Sequence, residues 1–288
     1  MRLTEKQQEI FEELFVRYPV LEKNREDILK AYEVLETCYR TGGKLLVAGN
    51  GGSCADAEHI VGELMKGFKK RRPLSEELQR RLAMEDTNHG EELARSLQGS
   101  LRAIALDGHP GLSTAFANDV DADMIFAQQV CGYGDKEDVF LGISTSGNSK
   151  NVDYAVTVAK AKGLSVIGLT GKDGGLLGKR ADVAIIVPET ETFKIQELHL
   201  PIYHILCLML EEAFFDMMSH TFAICAYKDS PYLDVCIHSL KKQSVKSKII
   251  LCTSTPSPFL EAMAKIHDIP LYVRNGKSDI QDDWNFAY

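Results

Sequence analysis

Residues 139–149 read VFLGISTSGNS, a short apolar run followed by a loop of serine, threonine, glycine and asparagine. The run is apolar on both faces, as a strand of a parallel sheet covered by helices requires. A helical pattern follows over 149–162, so the loop joins the carboxyl end of a strand to the start of a helix. This unit predicts an α/β fold with the loop at the carboxyl edge of a parallel sheet.

A second loop of the same type lies earlier in the chain. Residues 49–53 read GNGGS and follow the apolar run 44–48. Glycines let the backbone approach an anion, hydroxyls add donors, and the following helix N-terminus presents free N–H groups. Neither loop matches the GxxxxGK[ST] nucleotide loop or the GxGxxG dinucleotide motif. The two loops predict a phosphorylated small molecule held across the strand ends; the alternative for either loop alone is a tight turn with a helix cap.

The first 215 residues alternate between strand and helix patterns. Two helices open the chain, the first capped by Thr4 with Gln7 reaching back to it. Strands are predicted at 44–48, 101–106, 138–143, 164–169 and 182–187, and helices at 53–67, 121–131, 149–162 and 192–214. We therefore expect a doubly wound parallel-sheet sandwich of the flavodoxin-like type with N-terminal helices.

Two segments depart from this alternation. Residues 73–99 are charged and helix-prone, and they indicate an insertion that serves as a lid, an oligomer contact or a decorated loop. After residue 215 the alternation restarts, with strands at 221–226, 248–253 and 270–273. The predicted helices are one that ends at 242 and two that span 259–266 and 279–288. We expect two domains, 1–215 and 216–288, of which the second is a small α/β unit.

The composition excludes several classes of function. The net charge is −8, with 44% apolar and 26% charged residues, as in an ordinary soluble globular protein. We expect no nucleic-acid partner and no membrane insertion, because the sequence has no broad basic face, no 18-residue apolar stretch and no signal pattern. The basic run within 66–72 is expected to be a solvated helix end. Seven scattered cysteines without a CxxC pair indicate a reduced, cytoplasmic protein.

Two predicted helices carry side chains that are able to catalyse or to bind metal. His59 and Glu63 are four residues apart, so both project from one helix face, about one turn below the first glycine loop. Gln196 and His204 are eight residues apart and also share a face. Two imidazoles, a carboxylate and an amide oxygen suit Zn²⁺ or another divalent ion. Each pair alone is also compatible with a solvated pair or ordinary amphipathic positions, and His199 is an alternative to His204.

The motifs resemble the phosphoheptose isomerases, a branch of the sugar-isomerase (SIS) domain family. Residues 49–63 are similar to the first family motif, 142–152 to the second, 169–175 to the third and 195–204 to the fourth. The resemblance covers about residues 1–215. It implies a cytosolic homotetramer, with active sites at subunit contacts, that isomerises sedoheptulose 7-phosphate to glycero-manno-heptose 7-phosphate for nucleotide-heptose and surface-polysaccharide synthesis.

The resemblance also implies a role for individual residues. Glu63 and His204 form the acid–base pair, and His199 is structural. The implied Zn²⁺ ligands are His59, Glu63, Gln196 and His204. The implied phosphate contacts are Ser53, Ser144, Thr145, Ser146 and Ser149. The other implied substrate contacts are Asn50, Gly51, Gly52, Asn118, Asp119 and Gln196. A carboxylate and an imidazole suit an enediol route, which needs a base at carbon and an acid at oxygen; the metal either polarises the carbonyl or is structural or regulatory.

The sequence departs from the family pattern at the sugar end. Ala117 stands before Asn118 where the family has glycine, and DGHPG at 107–111 replaces an Asp-Thr-Ser segment. We therefore expect different contacts to the sugar hydroxyls, with another ketose phosphate or an aminosugar phosphate as an alternative substrate. A regulator that binds the sugar phosphate without catalysis is a second alternative, although the presence of both Glu63 and His204 favours an enzyme.

The second unit resembles the start of a family 2, GT-A type glycosyltransferase. Residues 226–230 follow a first strand as a nucleotide-cupping loop does, and 249–255 and 282–285 resemble later segments. Residues 216–288 contain no Asp-x-Asp motif, which binds the metal and the sugar nucleotide in such enzymes, and half a domain cannot transfer a glycosyl group. We interpret the unit as a vestige, a truncated chain, a docking module or one end of a larger fusion, and Asp282 and Asp283 as helix-capping residues.

Overall fold

The protein is described by a computed structural model that covers residues 3–215, 221–243 and 247–274. The chain divides into two compact units, Met1–Phe215 and Asp216–Tyr288. Each unit is built around a parallel sheet of its own. They are described separately below.

The first unit contains five strands that are apolar and mostly buried. They are β1 (Leu45–Gly49), β2 (Ala103–Ala105), β3 (Val139–Ser144), β4 (Ser165–Thr170) and β5 (Val183–Ile186). All pairings are parallel, in the order β2-β1-β3-β4-β5. This order confirms the predicted flavodoxin-like fold. The strand order reverses between β1 and β3, which is where open α/β sheets bind ligands.

Ten helices accompany these strands in the described part of the first unit. They are α1 (Glu5–Arg17), α2 (Arg25–Arg40), α3 (Gly52–Met65), α4 (Glu76–Glu85), α5 (Gly90–Ser96), α6 (Pro110–Phe116), α7 (Ile125–Tyr133), α8 (Lys150–Lys162), α9 (Gly175–Arg180) and α10 (Thr192–Phe215). The capping box predicted at the chain start is confirmed, because Thr4 and Gln7 exchange backbone-to-side-chain hydrogen bonds of 2.9 and 3.2 Å.

Both faces of the five-stranded sheet are covered, which explains why its strands are apolar on both sides. Residues of α1, α2, α3 and α10 form the core on one face, around Val47 and Leu141. Residues of α7, α8 and α9 form the core on the other face, around Leu46 and Phe140. Among the described residues α10 alone has the length and apolarity of a membrane span, but 61% of its most apolar window is buried, as in the core helix of a soluble protein.

Two short helices were not predicted from the sequence. Helix α6 begins at Pro110, which favours a first helical turn, and continues into a π-helical segment at Ala117–Asp121. Helix α9 has only six residues and begins after Gly174, whose φ is +83°. Elements this short have no apolar periodicity to detect, and tertiary packing holds them in place.

The insertion at 73–99 forms the helical pair α4 and α5, and an isolated antiparallel bridge between Pro73 and Gln98 closes its base. The prediction of a solvated helix end for the preceding basic run is wrong at Arg72, which is fully buried. Arg72 donates to Glu211 Oε1 at 2.8 Å and to the carbonyl oxygens of Leu64 at 2.7 Å and Glu63 at 3.0 Å. Its guanidinium therefore binds the last carbonyls of α3, which have no intrahelical partner.

The second unit confirms the predicted second α/β alternation over the residues that the structure describes. Its sheet has the order β6 (Thr221–Cys225), β7 (Lys248–Thr253) and β8 (Leu271–Val273), all parallel. Helices α11 (Leu233–Lys241) and α12 (Pro258–His267) connect these strands. The buried core is small and consists of Leu233, Ile237, Leu251 and Leu260. The predicted helix at 279–288, with Asp282 and Asp283, lies outside the described residues.

Candidate active site

The two glycine-rich loops lie side by side at the carboxyl edge of the sheet. They follow β1 and β3, which are paired neighbours with Gly49 opposite Ile143. Two reciprocal hydrogen bonds join the loops, since the side-chain amides of Asn50 and Asn151 exchange bonds of 2.9 and 2.8 Å. The helices α3 and α8 start directly after the loops, so both present their N-terminal N–H groups to the same edge.

The second loop is held in a tight turn. Gly147 has φ of +66°, and a Cβ there would lie 1.9 Å from the carbonyl oxygen of Gly174. Asn148 accepts a hydrogen bond from the backbone N–H of Leu176 at 3.1 Å, which ties this loop to the loop after β4. Only glycine fits position 147, because it needs a positive φ and has no room for a side chain.

The five residues predicted to contact phosphate all lie on these two loops. Ser53 and Ser144 are buried, whereas Thr145, Ser146 and Ser149 are half-buried. The hydroxyls of Ser144 and Ser149 are 2.9 Å apart, and the Ser146 hydroxyl accepts the backbone N–H of Asn148 at 3.2 Å. The structure thus brings four hydroxyls of one loop beside the start of α3, where Asn50, Gly51 and Gly52 lie.

A second cluster lies further along α3, against α10. The ring centroids of His59 and His204 are 5.0 Å apart, and Nε2 of His59 is 3.3 Å from Oε1 of Glu63. The hydroxyl of Tyr203 lies 3.1 Å from Asp56 Oδ1 and 3.1 Å from Nδ1 of His59. Because the single hydroxyl proton is donated to the carboxylate, the hydroxyl accepts from Nδ1–H of His59. Nε2 of His59 is then the ring nitrogen that faces Glu63, at 3.3 Å.

The cluster is partly removed from water, since the side chains of Glu63 and His59 are 13% and 42% accessible. Burial lowers the pKa of His204, with a further decrease from His59 that the Glu63 carboxylate opposes. His204 is therefore neutral at pH 7 and able to accept a proton. Burial also raises the pKa of Asp56, against the opposing effects of the Tyr203 hydrogen bond and of His59. The sequence alone indicates no role for Tyr203 or Asp56. The one pattern that points to Asp56 is its position three residues before His59, which places the two side chains on one helix face.

Curated relatives cover the first unit at substantial identity. Two sequence profiles, both described as SIS domain, match residues 16–97 and 99–210. A phosphoheptose isomerase from Nitratiruptor sp. is 40% identical over 195 residues, which are 68% of this chain and 90% of that protein. One from Thermodesulfovibrio yellowstonii is 36% identical over 218 residues, or 75% of this chain and 96% of the relative. The chain belongs to the phosphoheptose isomerase family.

Solved structures of phosphoheptose isomerases have the same fold. The structure from Francisella tularensis aligns with a TM-score of 0.56 at 31% identity and covers 72% of this chain and 97% of its own. The structure from Neisseria gonorrhoeae aligns with a TM-score of 0.52 at 34% identity, over 64% of this chain and 86% of its own. The family profiles end at residue 210, so the glycosyltransferase resemblance of the second unit stays a prediction.

The predicted metal ligands of this phosphoheptose isomerase family member lie in two places. The helices α3 and α10 run in the same direction, because Gln196 packs against Gly52 at the start of α3 and His204 packs against His59 further along. Eight residues of helix rise by about 12 Å, which separates Gln196 from His204 along α10. By the same measure Glu63 lies nearly three turns after Ser53, so the expectation of one turn below the loop is wrong.

His59, Glu63 and His204 nevertheless fit a borderline divalent cation. Nε2 of His204 is buried and has no hydrogen-bond partner, although a buried imidazole nitrogen normally has one. A metal ion would bind this nitrogen. The Tyr203 hydroxyl fixes the tautomer of His59, as the outer-shell partner of a metal-ligating histidine does. His199 also has one unpartnered ring nitrogen, Nδ1, but this residue is fully buried and its Nε2 bonds the carbonyl oxygen of Thr170 at 3.2 Å.

The sugar-end residues are less closely tied to the loops. Asn118 and Asp119 lie on the π-helical segment, exposed, with their side chains bonded to each other at 2.8 Å. Asp107, which was treated only as part of a replaced segment, follows β2 and has both carboxylate oxygens buried without a hydrogen-bond partner. Burial and then Asp107 raise the pKa of the Cys54 thiol to about 12, which places this carboxylate beside the first turn of α3. In the sequence, Asp107 directly follows a predicted strand, and this position at the carboxyl edge of a parallel sheet could have indicated a substrate contact.

Proposed function

We propose that this chain is an aldose–ketose isomerase that converts sedoheptulose 7-phosphate into D-glycero-D-manno-heptose 7-phosphate. Its product feeds the synthesis of nucleotide-activated heptose for surface polysaccharide. The observation that carries the proposal is the cluster in which Glu63 and the unpartnered, neutral His204 lie together in a family whose relatives are phosphoheptose isomerases. A protein that only binds a sugar phosphate needs no such acid–base pair.

The phosphate binds at the carboxyl edge between β1 and β3. The hydroxyls of Ser53, Ser144, Thr145, Ser146 and Ser149 and the first N–H groups of α3 and α8 are its donors. Anions are stabilised there because free N–H groups and the positive ends of two helix dipoles converge. Asn50, Gly51 and Gly52 bring the backbone of the first loop close to the sugar, and Gln196 packs on that loop.

The isomerisation moves a proton between two neighbouring carbons. The Glu63 carboxylate removes the proton from the carbon beside the carbonyl, which forms an enediol, and returns it to the former carbonyl carbon. His204, which is neutral at the start, exchanges protons with the two oxygens. The orphaned carboxylate of Asp107, with Asn118 and Asp119, contacts sugar hydroxyls. This assignment gives the buried, unpartnered Asp107 oxygens hydrogen-bond donors when substrate binds.

His59, Glu63 and His204 would hold Zn²⁺, whereas Gln196 packs against Gly52 at the first loop and is placed to contact the sugar. When bound, the ion would polarise a substrate oxygen and stabilise negative charge that develops on it. The protein residues keep their own tasks: Tyr203 and Asp56 orient His59, and burial keeps His204 neutral.

We propose a cytoplasmic homotetramer in which subunit contacts complete the active site. The start of α10, beside the first loop, exposes Phe193 and Leu200, which are 55% and 39% accessible in the single chain. Leu176, at the start of α9, is 46% accessible. A contact between copies would cover these apolar side chains and enclose the sugar end of the site.

The test is NMR spectroscopy of sedoheptulose 7-phosphate with the purified full-length chain in heavy water. We expect an aldoheptose phosphate with deuterium at C2, since the enediol exchanges its carbon-bound proton with solvent. Parallel samples with a chelator, and with the chelator followed by Zn²⁺, measure the need for metal. If folded, tetrameric protein gives neither product nor exchange in any sample, the proposed reaction is wrong, and a panel of ketose and aminosugar phosphates in the same assay tests the alternative substrates.

A further inference from the structure

Three side chains that can bind metal meet on the helices of the second unit. Among the described residues, Asp234, His238 and His267 have ligand atoms that all lie within 4.8 Å of one another. Asp234 and His238 are four residues apart on α11, so they share a helix face, and His267 is the last residue of α12. The cluster thus connects two helices that are joined in sequence only through β7.

Two separations between ligand atoms are close to those of a tetrahedral site. Asp234 Oδ1 lies 2.7 Å from Nε2 of His267 and 3.4 Å from Nδ1 of His238. Zinc bonds of about 2.0–2.2 Å at tetrahedral angles place two ligand atoms about 3.3 Å apart. The 3.4 Å separation already fits, whereas the 2.7 Å separation must lengthen by about 0.6 Å. Nδ1 of His238 also lies 3.0 Å from the backbone carbonyl oxygen of Asp234, so metal binding requires this imidazole to give up that hydrogen bond or to bind through Nε2. The two imidazole rings are 4.9 Å apart and nearly perpendicular, so their nitrogens do not compete for the same space.

The surroundings of the cluster favour a cation that has three protein ligands and one coordination position open to water. His267 is 5% accessible, whereas the side chains of Asp234 and His238 are about half exposed, so one side of the cluster is protein and the other is solvent. The nearby ammonium group of Lys241 is bonded to the carbonyl oxygen of His267 at 2.6 Å and not to the Asp234 carboxylate. Two imidazoles and a carboxylate, with water as a fourth ligand, suit Zn²⁺ better than Mg²⁺ or Ca²⁺, which prefer oxygen.

We propose that Asp234, His238 and His267 form a Zn²⁺ site that cross-links α11 to α12. This site is separate from the histidine cluster on α3 and α10, and it does not depend on the isomerase activity. Among the described residues of the second unit, the buried apolar cluster has four large side chains, so a metal cross-link stabilises the unit where apolar packing is limited. In the competing arrangement the Asp234–His267 and Lys241–His267 hydrogen bonds join the helices and no metal binds.

The experiment measures binding of Zn²⁺ and Co²⁺ to the full chain in a His204→Gln background, in which the α10 histidine is removed. We expect one equivalent of Zn²⁺ and a tetrahedral Co²⁺ absorption spectrum without thiolate charge-transfer bands. His238→Ala in this background is expected to lower the Zn²⁺ affinity more than about 100-fold, because loss of a direct ligand costs more than loss of an outer-shell partner. His238 is exposed, so its replacement leaves the packing of α11 intact.

Two control variants test whether Zn²⁺ binding is specific to the three proposed ligands. His89→Gln removes an exposed histidine of the insertion, and Cys236→Ser removes an exposed thiol on α11. Both are expected to keep Zn²⁺ binding unchanged. Equal affinity in His238→Ala, or loss of binding in Cys236→Ser, would overturn the proposal.

Hydrogen exchange provides a second measurement that does not rely on variants. Zn²⁺ added to the metal-free chain is expected to slow amide exchange in peptides that cover α11 and α12, because a ligand that binds only the folded form suppresses local opening. Unchanged exchange in both helices at saturating Zn²⁺ would mean that the three side chains do not cross-link them.

Discussion

Glu63 is the residue on which the proposed chemistry depends most directly. Its carboxylate lies 3.3 Å from His59 and also 3.3 Å from the ammonium group of Lys66, and its side chain is only 13% accessible. Glu58 offers a comparison, since it lies on the same helix but is exposed. Substitution of each glutamate in turn therefore distinguishes a role in catalysis from the general effect of removing an acidic residue from α3.

We expect Glu63→Gln to lower kcat by about 10²–10⁴-fold, because the amide keeps the size of the side chain but cannot take a proton from carbon. Sugar-phosphate affinity, measured by calorimetry, should change much less, since the phosphate donors lie at the start of α3, about ten residues before Glu63, and in the loop after β3. Glu58→Gln is the matched control and should keep wild-type turnover. Activity near the wild-type level in Glu63→Gln would show that another group is the base.

His199 makes the stability of the first unit depend on pH. Burial lowers the pKa of His199 to about 4, against the hydrogen bond to the Thr170 carbonyl. The unfolded chain binds this proton below pH 6.5, whereas the folded chain binds it only near pH 4, so stability is complete above 6.5 and decreases as the pH falls between these values. From pH 7.5 to pH 5 the loss is about 2 kcal/mol.

The measurement is urea unfolding of the wild type and of His199→Gln at both pH values. The variant should be less stable at pH 7.5, because the flexible amide packs less well than the imidazole ring in this fully buried site, but its stability should fall less on acidification. Groups that titrate in both proteins cancel in the difference. Parallel stability profiles would contradict the assignment of a buried neutral imidazole at this position.

At the scale of an element, the loop after β3 depends on one glycine. Alanine at position 147 would need a positive φ, and its Cβ would meet the carbonyl oxygen of Gly174. Gly42 has an even larger φ of +81° but nothing within 4 Å of a Cβ. Comparison of the two positions separates backbone strain from steric conflict.

We expect Gly42→Ala to cost about 1 kcal/mol, which is the strain of a left-handed residue alone. Gly147→Ala should cost at least about 2 kcal/mol more, because one of the two loops must move. Phosphate affinity should also fall in Gly147→Ala and remain unchanged in Gly42→Ala. Both values come from urea unfolding and from calorimetric titration; equal costs at the two positions would mean that the loop tolerates displacement.

At the scale of the first unit, one buried ion pair joins three parts of the fold. Glu211 on α10 accepts bonds from Arg72 and from the backbone N–H groups of Phe68, Lys69 and Lys70, at 2.8 to 3.1 Å. Burial raises the pKa of Glu211, but these backbone donors and Arg72 reverse the effect and lower it. Arg72 in turn binds the end of α3, directly after Glu63, and lies at the base of the insertion.

Glu211→Gln should cost about 3–5 kcal/mol of unfolding free energy, since it leaves the guanidinium of Arg72 buried without its counter-charge. Glu212→Gln is the matched control. Glu212 is also buried, but its partners are the ammonium groups of Lys6 and Lys70, and that of Lys6 is largely exposed. We expect a smaller loss there in the same urea titration. A larger loss in Glu212→Gln would mean that Arg72 does not depend on Glu211.

The sequence by itself determined the sheet, its loops and the family. Strands that are apolar on both faces must be covered by helices, and glycine and hydroxyl loops between strand and helix place an anion site at the carboxyl edge. These features are local patterns of a few residues, so they are visible before folding. The four motifs of the first unit carry the family resemblance in the same way, and relatives that match this unit over 90% of their length bear it out.

Tertiary structure alone decided which side chains meet. Arg72 belongs to a basic run that is typical of a solvated surface, yet it is buried because the carbonyls at the end of α3 need a donor. Tyr203 joins Asp56 to His59 only because α10 packs along α3. In the same way the metal-binding cluster of the second unit arises where α11 meets the end of α12. Such contacts depend on how helices pack, and no spacing within a single element encodes them.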